Sequence, residues 1–134
     1  EYNNLLNLKS EMVDNQEFIN YHFSKKNINE IFKSLESDKS LFSRRIYEKL
    51  KTRCPTSLAL TCEILDRAKS MSFKECLQMD FILSQIMTNR IDFINGVEGV
   101  LIKKTHKIKW HTNESKEVIR YLDNNSTSGL QLDI

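Results

Sequence analysis

The stretch DFINGVEGVLIKK, residues 92 to 104, has the apolar spacing of a helix and contains two of the three glycines in the chain. A glycine in a helix interior costs about 1 kcal/mol relative to alanine, so some contact must offset that loss. Gly96 and Gly99 are one turn apart and lie on roughly one face, where another backbone or a flat ligand could approach closely. We favour close helix packing over ligand contact, since most such features at helical spacing belong to a core.

The rest of the chain repeats this helical periodicity. Three glycines and one proline leave few positions for tight hairpin turns, and apolar residues recur every three or four positions rather than every two. The sequence therefore predicts an all-α fold of five to six helices. We expect a polar lead-in over residues 1–16, a helical region over 17–122 and a flexible tail over 123–134.

Local signals predict where several helices begin. Pro55 disfavours a helical residue before it but suits a first helical position, so one helix ends before Cys54-Pro55 and the next follows directly. Ser72 and Glu75 form a capping box, and Asp92 is predicted to cap the helix that holds both glycines. Three further caps are predicted: Asn27 with Glu30, Ser40, and Asn113 for a helix over residues 114–122.

Apolar spacing also predicts the stripe that each helix carries. The run EFINYHF, residues 17 to 23, is expected to be a short helical turn. The helix after Pro55 carries a predicted stripe of Leu58, Cys62 and Leu65. The stripes predicted for the helices that open at Asn27 and Asp92 are Ile28, Ile31, Phe32 and Leu35, and Phe93, Val97, Val100 and Leu101.

Composition excludes several classes of protein. Twenty basic and 18 acidic side chains give a net charge of +2, which argues against a polyanion-binding module. Cys54, Cys62 and Cys76 are odd in number and lack CxxC spacing, which argues against disulfides and zinc and favours a reducing compartment. No apolar run approaches the roughly 18 residues of a membrane span, so no membrane partner is expected. The chain lacks an initiator methionine, so a processed product and a part of something longer both stay open.

No group of residues predicts an active site. His22, His106 and His111 could each serve as a base, but none has a serine or cysteine in an arrangement typical of a triad. Glu75 and Asp80 point in different directions on a helix, and the capping role explains Glu75. Phosphate loops, metal-ligand spacings and nucleophile elbows are missing. We therefore predict a helical packing module with no catalytic residue and no metal site.

A basic cluster follows the helix that holds the glycines. Cations near a helix C-terminus are favourable by up to about 1 kcal/mol, so a solvated helix end explains the cluster without a ligand. The alternative is a docking point for an anionic partner such as a phosphorylated cofactor. The cluster comprises Lys103, Lys104, His106, Lys107 and Lys109, and Trp110 follows it.

Several runs at fixed separations carry a family resemblance. They are FSRRIYEKLKTRCPTSLALTCEIL (42 to 65), FKECLQMDFILSQIM (73 to 87) and the opening stretch, followed by Trp110. Together they resemble the C-terminal part of the 3-hydroxyisobutyryl-CoA hydrolases of the crotonase superfamily, over about residues 17–122. The matching positions are Pro55, Thr56, Ser57, Leu58, Asp80, Leu83, Ser84, Asp92, Phe93, Gly96, Val97, Leu101, Ile102, Lys104 and Trp110.

This resemblance implies an activity whose chemistry lies elsewhere. Such enzymes hydrolyse a β-hydroxyacyl-CoA thioester in mitochondrial valine breakdown, with a carboxylate and a backbone oxyanion hole on an N-terminal spiral of strands and helices. The resemblance makes this chain the helical C-terminal region that lacks the spiral, packs on that core, covers the acyl-CoA site and contributes to subunit contacts or self-association. It implies a mitochondrial protein with no cofactor of its own, whose 134 residues alone are not catalytic.

The resemblance also assigns roles to single residues. Lys103 stands where those hydrolases have an aspartate, and it matches a position where a lysine of the wider superfamily reaches the CoA nucleotide. Lys103 and Lys104 are therefore predicted to bind the phosphates of acyl-CoA. Gly96 is expected to permit close helix packing, whereas Gly99, where the family has alanine, is expected to be incidental.

A second hypothesis is a non-catalytic relative that serves as a structural subunit, for example of a mitochondrial small ribosomal subunit, where RNA would be a partner. The departures from the family pattern at Asn95, Glu98 and Lys103 would be unsurprising in such a protein. A third hypothesis, a free-standing helical adaptor, would leave the long resemblance unexplained.

Overall fold

The computed structural model describes residues 11–105 and 107–125 of the chain. Within these residues there are eight α-helices, one π-helical turn and no strand. The all-α prediction is confirmed, but five to six helices was too few. The additional helices lie near the start, where α1 (Glu11–Asp14) falls in the predicted polar lead-in and α2 (Gln16–Phe23) is a helix of eight residues rather than a short turn.

Two compact units divide the chain, Glu1–Tyr47 and Glu48–Ile134, with the boundary inside α4. None of the helices among the described residues is long and apolar enough to cross a membrane. The remaining elements are α3 (Ile28–Ser37), α4 (Leu41–Lys51), α5 (Pro55–Ala68), α6 (Phe73–Thr88), α7 (Ile91–Val97), the π-helix (Glu98–Ile102) and α8 (Ser115–Asn125).

Most of the predicted helix starts are confirmed by hydrogen bonds. Ser72 and Glu75 form the capping box at the start of α6, and Pro55 is the first residue of α5. The end of α8 lies at Asn125, beyond the predicted end at residue 122, and the predicted tail from residue 126 lies outside the described residues. Two other predicted caps are confirmed, since Asn27 Oδ1 and Ser40 Oγ accept the N–H groups of Glu30 and Ser43, each at 3.1 Å. Asn113 Oδ1 accepts the N–H of Ser115 at 2.9 Å, but α8 begins at Ser115, so Asn113 lies one residue before the cap position.

In the first unit, α3 contributes the apolar core. Ile28, Ile31 and Leu35 are buried, as their spacing predicts, and Phe32 contacts the Tyr47 ring edge-on at 5.5 Å. From α4, the buried hydroxyl of Ser43 donates a 2.8 Å hydrogen bond to the carbonyl oxygen of Leu35. This bond fixes the start of α4 against α3.

The second unit has its core between α5, α6 and α8. The predicted α5 stripe does not form that core, since Leu65 is 63% exposed and Leu60 is the buried leucine of this helix. Two stripes at helical spacing run along α5, and the one through Leu60 and Ile64 packs with α8. Thr56, on the same stripe, accepts the N–H of Glu114 just before α8. The buried cluster comprises Leu60, Met79, Ile82, Leu83, Val118 and Leu122.

Candidate functional site

The candidate site is built where the chain folds back after α7. The helix predicted over residues 92–104 widens into the π-helix at Glu98–Ile102 and then reverses. At the reversal, Lys104 has a φ of 52°, a left-handed conformation that is uncommon for a residue with a side chain. The N–H groups of Lys103 and Thr105 donate to the carbonyl oxygens of Glu98 and Gly99 at 2.7 and 3.0 Å. The following residues 107–111, here called the returning segment, then lie against α7 and the π-helix.

Both glycines allow the returning segment to approach the helix. A Cβ atom on Gly96 would lie 3.3 Å from Cη2 of Trp110, so Gly96 does permit a close approach, but by the returning segment and not by another helix as predicted. A Cβ atom on Gly99 would lie only 2.7 Å from Cγ1 of Ile108, so the expectation that Gly99 is incidental is wrong. The partner is a segment that follows the helix, which helical spacing alone could not reveal.

Asp92 holds the returning segment instead of capping α7. The helix begins at Ile91, after Arg90, so the predicted cap is wrong. Asp92 is buried, with only 4% of its residue surface exposed. Its Oδ1 accepts the N–H of His111 at 2.9 Å. Its Oδ2 lies 3.5 Å from Sγ of Cys54, which donates the thiol proton. Since an unbonded buried carboxylate would cost several kcal/mol, these two donors explain how its burial is tolerated.

The turn between α4 and α5 provides the rest of the attachment. The carbonyl oxygen of Thr52 accepts the indole N–H of Trp110 at 2.8 Å. Thr56 Oγ1 accepts the N–H of Glu114 at 3.0 Å, and the Glu114 carboxylate pairs with Arg90. Alternate residues at positions 52, 54 and 56, in this turn and at the start of α5, therefore each bond to the returning segment, to α7 or to the residues before α8.

The predicted phosphate-binding lysines differ in their placement. Lys103 lies in a polar groove of about 410 Å³ beneath the π-helix, which Lys107, Lys109 and the returning segment also line. Its Nζ is paired with Oε1 of Glu98 at 2.8 Å. An exposed pair of this kind is worth about 1 kcal/mol or less, so an anion could compete for the ammonium group. Lys104 is exposed at the left-handed position and is not among the residues that line this groove, and His106 lies outside the described residues.

An apolar surface, here called the apolar face, runs along α7 and the π-helix. It consists of the predicted stripe Phe93, Val97, Val100 and Leu101. Phe93 is 48% exposed and Leu101 is 66% exposed, so this stripe faces away from the core formed by α5, α6 and α8. Together with Met87 and Trp110 it lines an apolar groove of about 430 Å³. The sequence predicted the stripe correctly, and the described residues leave it uncovered.

The structure forms one histidine cluster that sequence reasoning missed. His22 Nδ1 is 2.8 Å from Ser34 Oγ, and His22 Nε2 is 3.1 Å from Asp38 Oδ2. The partners follow His22 by 12 and 16 positions, so no local spacing could indicate the cluster. The histidine is 2% exposed, which leaves its ring no surface for contact with a substrate.

Cysteines and acidic residues form no further reactive site in the part of the chain that the structure describes. All three cysteines are free thiols, and burial raises the pKa of Cys62. A raised pKa keeps a thiol protonated and therefore poorly nucleophilic. Among residues 11–105 and 107–125, no three His, Cys, Asp or Glu side chains are grouped so that they could hold a metal ion.

Comparison with known proteins identifies the family. A family model described as enoyl-CoA hydratase/isomerase matches residues 2–122, and the chain belongs to that family. Within it, the chain is similar to mitochondrial 3-hydroxyisobutyryl-CoA hydrolases, as its motifs indicated. The Xenopus laevis enzyme is 39% identical over 118 residues, which is 87% of this chain and 31% of the enzyme.

Relatives from two other organisms give the same result. The Homo sapiens enzyme of that name is 34% identical over 107 residues, or 80% of this chain and 28% of the enzyme. The Dictyostelium discoideum enzyme is 34% identical over 103 residues, or 75% and 27%. The chain thus spans less than a third of the length of these curated relatives. No solved structure matches the chain.

Proposed function

We propose that these residues are the C-terminal helical part of a mitochondrial 3-hydroxyisobutyryl-CoA hydrolase. The protein would hydrolyse an acyl-CoA thioester in valine breakdown, with its catalytic carboxylate and oxyanion hole outside this chain. The names of the relatives support this assignment. So do the aligned lengths, because 87% of this chain matches only 31% of the Xenopus enzyme.

The apolar face is the observation that carries the proposal. Stripes at helical spacing are normally buried, and burying apolar surface contributes about 25 cal/mol per Å². Phe93 and Leu101 instead stand about half or more exposed beside an apolar groove. Such a surface is typical of a contact with another protein region, here the catalytic core. Self-association through the same face is the competing use.

The polar groove is proposed as the contact for the phosphate-bearing end of the thioester. Lys103, Lys107 and Lys109 line it, and Glu98 is the single carboxylate among its lining residues. A group of ammonium side chains around one acid favours a bound anion. Lys104 would contribute from outside the groove, through its long flexible side chain.

The test is a chimera in which this chain replaces the matching 118 residues of the Xenopus enzyme. Release of CoA thiol from 3-hydroxyisobutyryl-CoA is measured with a thiol reagent. We expect hydrolysis by the chimera and none by the 134-residue chain alone. Hydrolysis by the chain alone would contradict the proposal. A chimera that folds but is inactive would also contradict it, and would favour the non-catalytic structural subunit.

A further inference from the structure

The π-helical turn places a carboxylate beside the lysine that was predicted to bind phosphate. The N–H of Lys103 donates to the carbonyl oxygen of Glu98 at 2.7 Å, the five-residue step that defines a π-helix. On an α-helix, side chains three or four positions apart are neighbours, and those five apart are not. The wider turn therefore brings these two side chains together, and Nζ of Lys103 lies 2.8 Å from Oε1 of Glu98.

The other charged side chains of the polar groove are positive. Lys107 and Lys109 line the groove from the returning segment, and neither forms an ion pair with a described residue. The carboxylate of Glu98 thus neutralises Lys103 and leaves two ammonium groups of the groove without a counterion within the described ranges. The groove volume of about 410 Å³ lies in the range of small-molecule sites, roughly 300 to 1,000 Å³.

An incoming phosphate has to displace the Glu98 carboxylate from Lys103. The displacement replaces one anion by another at the same ammonium group, so by itself it contributes little to binding. Both side chains of the pair are about half exposed, which keeps the pair weak enough to open. Net attraction then comes from Lys107 and Lys109, which a ligand with more than one phosphate can contact in addition.

We propose that Glu98 is an internal competitor for the anionic ligand of the polar groove. It pairs with Lys103 in the free protein and is displaced when the phosphates of a CoA thioester bind, so it lowers the affinity for that thioester. The choice of ligand rests on the proposed function. The competitor also restricts the ligand class to polyphosphates, because an anion that contacts Lys103 alone binds no better than the carboxylate it displaces.

Titration of the 134-residue chain with CoA tests the competitor, followed by the fluorescence of Trp110 in the wall of the groove. Glu98→Gln keeps the length of the side chain and removes its charge, so the dissociation constant of CoA should fall about fivefold. Lys103→Gln alone should raise it. The double variant should return close to the original value, because it removes both members of a pair that neutralises itself.

Two controls separate competition from a general change of charge. Asp66→Asn frees Lys69 from an exposed ion pair of the same 2.8 Å length, and neither residue lines the groove, so CoA affinity should not change. Inorganic phosphate cannot reach all three lysines and should bind about tenfold more weakly than CoA, or less tightly still. Circular dichroism checks that each variant keeps the helical content of the original.

The competitor is overturned if Glu98→Gln fails to tighten CoA binding, if the chain does not bind CoA, or if inorganic phosphate binds as tightly. The Xenopus chimera gives a second measurement, in which Glu98→Gln should lower the KM for 3-hydroxyisobutyryl-CoA. An active chimera whose KM does not respond would overturn the competitor and leave the proposed function intact. An inactive chimera, beside a chain whose CoA affinity responds as described, would contradict the proposed function alone.

Discussion

The α5–α6–α8 cluster and the α7 region carry apolar stripes of the same helical spacing but place them differently. In the cluster, Leu60, Met79 and Leu122 bury their side chains against one another. In the α7 region, the helix presents its glycines to the returning segment and its apolar face to the outside. The comparison teaches that a stripe predicts a helix and an apolar contact, but not whether that contact lies within the same stretch of chain.

Truncation in the cluster gives the largest expected effect. Leu122→Ala removes a side chain that is buried in the core, so the free energy of unfolding should fall by about 2 to 5 kcal/mol. Leu101→Ala on the apolar face should change it by no more than about 0.5 kcal/mol in the chain alone. Urea unfolding followed by circular dichroism measures both. Equal losses would show that the apolar face is covered within this chain.

Removal of the Asp92 carboxylate should loosen the returning segment. Asp92→Ala leaves the N–H of His111 and the thiol of Cys54 without their acceptor, so about 1 to 3 kcal/mol of unfolding free energy should be lost. Asp92→Asn keeps one oxygen for His111 and should lose less. The single tryptophan, Trp110, reports the change through its fluorescence. An alanine variant as stable as the original would refute the attachment.

The two glycines should respond unequally to alanine. Gly99→Ala forces Ile108 to move, and after the gain in helix propensity it should still cost about 1 to 2 kcal/mol. Gly96→Ala meets only the far edge of Trp110 at 3.3 Å and should be nearly neutral. Thermal unfolding of the two alanine variants measures both changes in stability. A stabilised Gly99→Ala would restore the view that this glycine is incidental.

The smallest effect belongs to the capping box of α6. Ser72→Ala removes the acceptor for the Glu75 N–H and should cost about 1 kcal/mol. Hydrogen bonds from Ser72 lower the pKa of Glu75, so the carboxylate contribution is present above the ordinary value of 4.5 and is lost as the pH falls through the lowered one. The cost of Ser72→Ala should therefore be smaller at pH 3 than at pH 7. A cost that does not depend on pH would show that Glu75 takes no part.

Local features were predictable from sequence and distant ones were not. The capping box joins residues three apart, so Ser72 and Glu75 could be read directly. Asp92 was misassigned because its partners, Cys54 and His111, lie 38 and 19 positions away. An aspartate near a helix start can serve either as a cap or as a buried acceptor, so residue type did not separate the two roles.

The same limit applies to the stripes and to the histidines. Thr56-Leu60-Ile64 and Leu58-Cys62-Leu65 both follow helical spacing on α5, so spacing does not decide which of them packs with α8. The cluster of His22 depends on the pairing of α2 with α3, which apolar periodicity does not specify. The family motifs, in contrast, could be recognised because their identity and separations lie in the chain itself.

The most direct test of the account compares two leucines of nearly equal exposure in the Xenopus chimera. Leu101 on the apolar face and Leu65 on α5 are 66% and 63% exposed, so each is changed separately to serine. Thioester hydrolysis is measured beside the chimera without either change. We predict that Leu101→Ser lowers activity at least tenfold, because it disrupts about one helical turn of contact with the catalytic core, whereas Leu65→Ser has little effect. Equal activity of the two variants would contradict the claim that the apolar face meets that core.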